Sequence, residues 1–372
     1  MIKVVEAISD MNIGGAGRLL INKIRNSDKK LFKYIVVLPC GSDLIGPLKE
    51  AGGRVVEIDC CKDKSFDLRG VLALYKILAR LSPDVLNSHA CMSARIAGKI
   101  AGVKANLYTR HCDFPVKAIY ALPVINSVLK AFNDFLSDGI IAVSYSAKRN
   151  LLLLGAPKEK IKVIVNGAEV MPRLSLEEKK KIKAGLGIPA DAIVVGIFAR
   201  LEDYKDHKTL LRAAKLLKSN ENIYFIIVGS GSLAQDLKQY SKRLGIDERV
   251  FFIGFVDNVS DMMNITDINV NCSVGTETSS LALSEGMSLG VPSIASDYAG
   301  NKYIVKNGVN GLIFPQRDYI ELSEKILLLV QNKDVYNRFS INARARFLQE
   351  LNARHMTEQT EKYYLSLLKS RR

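Results

Sequence analysis

The sequence has no Cys-x-x-Cys pair. Its six cysteines (Cys40, Cys60, Cys61, Cys91, Cys112 and Cys272) and four histidines are scattered over 372 residues. That scatter argues against a structural zinc site and for reduced, mostly buried thiols. No apolar run reaches the roughly 18 residues that a membrane-spanning helix needs. The best candidate, residues 118–129, is interrupted by Pro123 and Asn126. The apolar N-terminus is broken by Glu6, Asp10 and Arg18 with no small-residue cleavage site behind it, so it does not read as a signal peptide. There is no internal repeat of solenoid length and no low-complexity segment. Together these absences predict a soluble, cytoplasmic, globular protein.

Acidic residues are in deficit. Asp and Glu number 38 against 53 Lys and Arg, a net charge of +15. A basic surface suits an anionic partner. Nucleic acid is not expected, because no zinc finger and no basic stretch interleaved with stacking aromatics accompanies the charge. A sugar nucleotide or an anionic membrane lipid accounts for it as well. Residues 117–130 are basic and apolar, with Phe132 and Phe135 beyond. Two readings stay open there: a helix resting on the inner face of an anionic membrane, or a helix packed on the core.

What is present is an alternation of strands and helices. The length favours two domains. Short apolar strands are expected at 3–8, 34–38, 55–58, 83–87, 105–109 and 139–143, with helices at 19–24 and 71–81. The pattern restarts after a charged surface segment at 173–183. Strands are expected at 192–198, 223–228, 250–253, 268–271 and 293–295. Helices are expected at 208–217, at 280–289 and over most of 338–372. Strands spaced by helices predict parallel sheets covered on both faces, in two doubly wound halves facing across a cleft. The expected domains are 1–167 with a C-terminal helix at about 353–372, and 168–352. Ligands of such sheets lie beyond the carboxyl ends of the strands.

The loops at those ends carry the candidate residues. Gly14, Gly15 and Gly17 follow the first strand, but Leu20 stands where a dinucleotide fingerprint has its third glycine. The second strand ends in Leu38-Pro39-Cys40, with no acid for a ribose. NAD is therefore not expected; a glycine turn that admits a ligand, or a purely structural turn, remains. Arg200 and Lys205 follow the strand at 192–198. Two cations there suit a diphosphate, unless Glu202, Asp203 and Asp206 pair with them. Glu277 precedes the helix at 280–289 and Glu285 lies on it, eight residues later. Free N–H groups at the helix start favour anions, and carboxylates suit sugar and ribose hydroxyls. Much of that helix is apolar, so an acid on it needs a partner.

These residues carry a family resemblance. Residues 277–292, ETSSLALSEGMSLGVP, resemble the E-x7-E motif of the family 4 glycosyltransferases, and the likeness continues through 293–297 and 307–311. Residues 198–207, FARLEDYKDH, are similar to the family's R-x4-K segment. Asn166-Gly167 is similar to its interdomain turn, and Gly14-Gly15-Ala16 to its N-terminal loop. The likeness is specific over 196–315 and weaker before Asn166.

The resemblance implies a GT-B fold and retaining, metal-independent transfer from a nucleotide-diphospho-sugar, with no cofactor. The expected acceptor is a glycan or a lipid-linked sugar. It implies that Arg200 and Lys205 neutralise the diphosphate, that Glu277 meets the donor sugar, and that Glu285 bonds the ribose. Thr278, Ser279, Ser280 and Leu281 line the donor, Gly254 and Phe255 meet its base, and Gly15 joins the donor side. His111, in Tyr108-Thr-Arg-His111, is similar to the family's N-domain histidine beside the transferred sugar. Gly14, Ala16 and His89 fall on the acceptor side. Thr278-Ser279-Ser280 replaces the family's usual glycine and aromatic residue, and Ala299-Gly300 replaces a glycine pair, which leaves the sugar open. Two rivals remain: a GT-B epimerase of UDP-sugars, and a catalytically silent binding subunit.

Overall fold

The computed structural model describes residues 1–113, 116, 118–256, 258–275 and 277–370, without the side chains of Ala118 and Ala121. Lys117 and Thr276, which belong to stretches cited above, lie outside the described residues. The chain divides into two compact units, Met1–Gly167 with Ala353–Arg372, and Ala168–Asn352.

The first unit is built on seven parallel strands: β1 (Ile2–Ile8), β2 (Phe32–Pro39), β3 (Arg54–Ile58), β4 (Val85–His89), β5 (Ala105–Arg110), β6 (Gly139–Ala142) and β7 (Ile161–Val163). Their order across the sheet is β3-β2-β1-β4-β5-β6-β7. Apolar runs such as Val4, Val5, Val36, Val37 and Leu38 are buried on both faces, as a parallel sheet under helices requires. The C-terminal helix Ala353–Lys369 packs on the helix Gly15–Asn26. Tyr364 on it is fully buried, and its hydroxyl donates to Glu6 Oε1 at 3.0 Å.

The second unit repeats the plan with six parallel strands: β8 (Ile193–Phe198), β9 (Ile223–Val228), β10 (Val250–Gly254), β11 (Ile268–Asn271), β12 (Ser293–Ser296) and β13 (Gly311–Phe314). Their order is β10-β9-β8-β11-β12-β13. In each sheet the chain starts at a central strand, runs to one edge, and returns to the other side. The order therefore reverses between β1 and β4 and between β8 and β11, where such sheets open a crevice at their carboxyl ends.

The charged stretch 173–183 lies mostly exposed at the surface, as expected, but it holds a helix that the sequence reading did not show, Leu176–Gly185, opened by a reciprocal cap between Ser175 and Glu178. Its apolar spacing is weak, and Lys183 buries its stem while its ammonium donates to Ala192 O at 2.7 Å. A lysine stem can cover apolar surface that the bare sequence does not reveal. The strands β7 and β13 also escaped the sequence reading, because runs of 3 and 4 residues show no periodicity of their own.

Candidate functional site

In the second unit, β11 ends at Asn271, and the loop behind it returns to cap the helix Leu281–Leu289. Glu277 is the centre of this loop, with 8% of its surface exposed. Its Oε2 accepts from Lys205 Nζ at 2.5 Å, from Ser273 Oγ at 3.2 Å and from Asn271 Nδ2 at 3.3 Å. Its Oε1 takes no hydrogen bond from the described residues. One oxygen is thus spent on holding the carboxylate still, and the other is left as an acceptor.

Asn271 ties the loop to the helix. Its Nδ2 donates to Ser280 Oγ at 3.1 Å, and Ser280 Oγ accepts from the N–H of Leu283, so it is the helix N-cap. Its Oδ1 accepts from Ser273 N at 3.0 Å and from Asn301 Nδ2 at 3.3 Å. Ser279 Oγ is buried and bonded to none of the described residues. Glu285 lies half-buried on the helix, which ends at Gly290 (φ +80°) ahead of Pro292.

The loop after β8 lies against this one, with Val274 N donating to Tyr204 O at 2.9 Å. Arg200 is exposed and its guanidinium sits 5.9 Å from the Tyr204 ring centre. Two of the neighbouring acids have other partners. Glu202 accepts from the Ser232 N–H and hydroxyl at 3.0 and 2.7 Å, and Asp206 takes the Thr209 hydroxyl at 2.6 Å. Lys205 is held by Glu277, a distant acid and not one of its sequence neighbours. Gly254 closes β10 with φ +82°, and Phe255 beyond it is 65% exposed.

Beside Lys205, His207 is buried with both ring nitrogens unbonded among the described residues. Burial, and then the Lys205 charge, push its pKa down to about 4. The unfolded chain therefore takes up a proton near pH 6.5 that the folded chain refuses until about pH 4. The linked stability is complete above 6.5 and is lost as pH falls through that window, by about 3 kcal/mol at its end. His207→Leu is expected to be more stable than the parent by about 1–2 kcal/mol at pH 7.5, with the gap widening toward pH 4. Denaturant midpoints measured across that range check it; a constant gap would refute it.

In the first unit, the corresponding loops bring a buried polar chain together. Glu6, in the middle of β1, is fully buried. Its Oε1 pairs with Lys23 Nζ at 2.6 Å, and its Oε2 lies 2.7 Å from His89 Nε2 and accepts from Asn87 Nδ2 at 3.0 Å. His89 Nδ1 lies 2.7 Å from His111 Nε2. Burial opposes ionisation of Glu6, but Lys23 and His89 hold its carboxyl down at about 2. Burial lowers the pKa of His89 against the pull of Glu6, and pushes His111 well below the usual histidine range with help from His89, Lys23 and Arg110. Lys23, His89, Thr109 and His111 line a small cavity of about 30 Å³ together with Asn166 and Met356. Gly14 and Gly15 start the helix Gly15–Asn26 in the open, with no atom where a side chain would begin; Ala16 follows, half-buried.

The sequence reading named Glu277, Lys205, His111 and His89 but missed the groups that hold them: Asn271, Ser273, Glu6 and Lys23. Glu6 had a signal, since a carboxylate inside an apolar strand must find a partner. The packed side that the second reading of residues 117–130 expects is present but narrow. The helix is Pro123–Leu136, with Leu136 buried and Ile125, Asn126, Leu129 and Asn133 partly buried. Asn126 donates to Leu153 O and Asn133 to Leu154 O, each at 3.2 Å, while Val124, Val128 and Phe135 are 76, 63 and 63% exposed.

Comparison with known proteins accounts for both units. The family described as Glycosyltransferase Family 4 matches residues 13–170, and that described as Glycosyl transferases group 1 matches residues 178–346. The chain is 26% identical over 312 residues to the Escherichia coli UDP-Gal:alpha-D-GlcNAc-diphosphoundecaprenol alpha-1,3-galactosyltransferase, covering 81% of this chain and 80% of that one. It is 25% identical over 376 residues to a Campylobacter jejuni alpha-1,4-N-acetyl-D-galactosaminyltransferase acting on a GalNAc-containing undecaprenol-diphosphate acceptor, covering 96 and 97%. Among solved structures, HepE from Anabaena in complex with UDP superposes with a TM-score of 0.83 at 22% identity, covering 98% of this chain and all of that one. The fold is GT-B: two Rossmann-like units, each on a parallel sheet.

Proposed function

The chain belongs to the family 4 glycosyltransferases, and on that premise we propose that it moves a hexosyl or N-acetylhexosaminyl group from a UDP-sugar to a lipid-linked or glycan acceptor in cell-surface polysaccharide or glycolipid synthesis. The observation that carries this reading is Glu277, whose one oxygen is locked by Lys205, Asn271 and Ser273 while the other is left to accept. A sugar hydroxyl is the natural donor to it. Arg200 and Lys205 supply positive charge for the diphosphate, and the start of the helix Leu281–Leu289, with Thr278, Ser279 and Ser280, adds its N–H groups. Charge develops on the leaving diphosphate during transfer, so fixed cations there lower the barrier without a metal. Glu285 takes the ribose, and exposed Phe255 with Gly254 meets the base. Gly15 lies open to the donor, with Gly14 and Ala16 toward the acceptor, and His111 meets the transferred sugar. Retention of anomeric configuration follows the family resemblance.

The test is a screen of UDP-sugars with undecaprenyl-diphosphate-linked sugar acceptors, read by UDP release and product mass, with EDTA present. Transfer with retained configuration supports the reading. Sugar interconversion without UDP release would point to an epimerase instead, and dependence on divalent metal would remove the metal-free step. In calorimetric titration, Arg200→Ala and Glu285→Ala are each expected to weaken UDP binding about 10-fold or more, the value of one charged hydrogen bond. Unchanged affinity sinks that assignment.

The outward face of the helix Pro123–Leu136 fits an anionic bilayer. Val124, Val128, Phe132 and Phe135 all face water on one short helix, and an exposed apolar face of this kind marks an interaction site. The surroundings are basic. Lys99 Nζ sits 4.5 Å from the Phe135 ring centre, and Lys130, Arg149 and Lys158 are exposed. Asp134 is paired with Lys160, and Asp138 accepts from the Asn106 N–H. A basic, apolar face of this kind supports docking on the membrane that holds an undecaprenyl acceptor. The protein is expected to float with vesicles containing anionic lipid, and Val124→Ser/Val128→Ser/Phe135→Ser to lose most of that binding. Equal flotation of the triple variant, or none by the parent, removes the membrane from this proposal.

A further inference from the structure

The buried chain in the first unit fixes which nitrogen of each histidine carries its proton. Glu6 is ionised and can only accept. His89 Nε2, 2.7 Å from its Oε2, must therefore be the N–H of that ring. His89 is neutral, so its Nδ1 has a lone pair and can only accept. His111 Nε2, 2.7 Å away, must then donate to it, which makes Nδ1 the acceptor of the neutral His111 ring. Asn87 Nδ2 lies 3.3 Å from His89 Nε2 but 3.0 Å from Glu6 Oε2, so two N–H donors converge on that oxygen, while Asn87 Oδ1 takes the Thr109 hydroxyl at 2.8 Å.

We propose that Glu6 and His89 are positioning residues for the transfer reaction: they hold His111 as a neutral ring whose Nδ1 accepts a hydrogen bond from a hydroxyl of the sugar substrate. Glu6 acts through His89 and touches no substrate. The proposal rests on the glycosyltransferase reading above, since that reading supplies the hydroxyl.

The same geometry decides against a second role for His111, as a base that takes the proton outright. A buried carboxylate promotes proton uptake by a histidine when its charge is uncompensated. Here Lys23 pairs with Glu6 at 2.6 Å and the Tyr364 hydroxyl donates to the same oxygen, so the carboxylate is already neutralised. The charged and titratable groups around the two rings, among the described residues, are Glu6 on β1, Lys23 on the helix Gly15–Asn26, Arg110 on β5, Cys112 behind it and Asp10 behind β1; Tyr364 on the C-terminal helix donates to Glu6, and Tyr34 on β2 donates to Glu361 on that helix. Around His111, Lys23 and Arg110 oppose a further positive charge. The His111 ring is thus kept as a hydrogen-bond acceptor at neutral pH, and the transfer rate is expected to show no titration of His111 above the usual histidine range.

Long-range nitrogen–proton NMR of the parent enzyme, labelled at its four histidines, tests the tautomers directly. His89 and His111 are both expected to be neutral and protonated at Nε2 at about pH 7.5. A proton on Nδ1 of either ring, or an imidazolium at either, overturns the proposal whether or not any sugar is transferred. The kinetic arm replaces the ion pair by neutral residues of similar size, Glu6→Gln/Lys23→Met, so that no buried charge is left alone. The glutamine amide can donate to His89 and so reverses both tautomers. The expected result is a loss of about 10–100-fold in kcat at pH 7.5, the value of one hydrogen bond made in the transition state and well short of the roughly 10⁴-fold lost where the oriented ring itself takes the proton, with the donor KM within two-fold and a changed NMR pattern. Unchanged kcat with reversed tautomers overturns it. If the double variant fails to fold, the parent spectrum still decides. Absence of any UDP-sugar turnover by the parent, with the tautomers as stated, refutes the transferase reading instead.

Discussion

Glu277→Gln is expected to lower kcat about 10–100-fold, the value of one hydrogen bond to a charged group, while UDP affinity stays within about two-fold. The amide keeps the shape of the carboxylate and can still present an oxygen to Lys205, Asn271 and Ser273, so the loop holds. What changes is the other arm, which turns from an acceptor to a donor where a sugar hydroxyl must give its hydrogen. Steady-state UDP release together with calorimetric UDP binding separates the two effects. A fall in kcat of less than about five-fold would take the sugar contact away from Glu277. Glu277→Ala is the poorer probe, because it leaves the mostly buried Lys205 ammonium without its partner, a loss of about 3–5 kcal/mol for a fully buried pair.

Gly300→Ala is expected to destabilise the second unit by about 2–4 kcal/mol and to lower turnover at least 10-fold, because it overpacks backbone against backbone. A methyl on Gly300 falls 1.7 Å from the Thr278 carbonyl oxygen and 2.5 Å from its carbon, and Gly300 N bonds Glu277 O at 3.4 Å. The loop carrying Glu277 and Thr278 must give way. The neighbouring residue supplies the opposite control. Ala299 sits at φ +41°, a left-handed conformation that costs an alanine roughly 1 kcal/mol. Ala299→Gly should be neutral or slightly stabilising with turnover kept, since glycine adopts that conformation freely but loses more chain entropy on folding. Denaturant midpoints and UDP release for both variants decide it. Equal behaviour of the two would show that the contact at residue 300 relaxes without cost.

The glycine pair that the family resemblance leads one to expect at 299–300 thus has two unequal halves here. The position that changed to alanine is the one where a side chain is tolerated with strain. The position that stayed glycine is the one where the Thr278 peptide leaves no room. A sequence shows that a glycine is present, but it does not show which atom stands where its side chain would be.

The same division runs through the molecule. The sequence by itself determined the alternating strands, the parallel sheets, the stop of the helix at Gly290, and the loops that carry Arg200, Lys205, Glu277 and Glu285. These follow from local patterns: apolar runs of strand length, helix end signals, and polar residues placed at strand ends. It also contained Glu6 as an acid in an apolar strand, without its partners. Only the tertiary structure decided that Lys205 holds Glu277 and not its nearer acids, that Lys23, His89 and Tyr364 converge on Glu6, and that the helix Pro123–Leu136 shows its valines to solvent. Buried polar atoms must be bonded, but which partner bonds them is chosen by packing between segments dozens to hundreds of residues apart. Spacing along the chain carries no record of that choice.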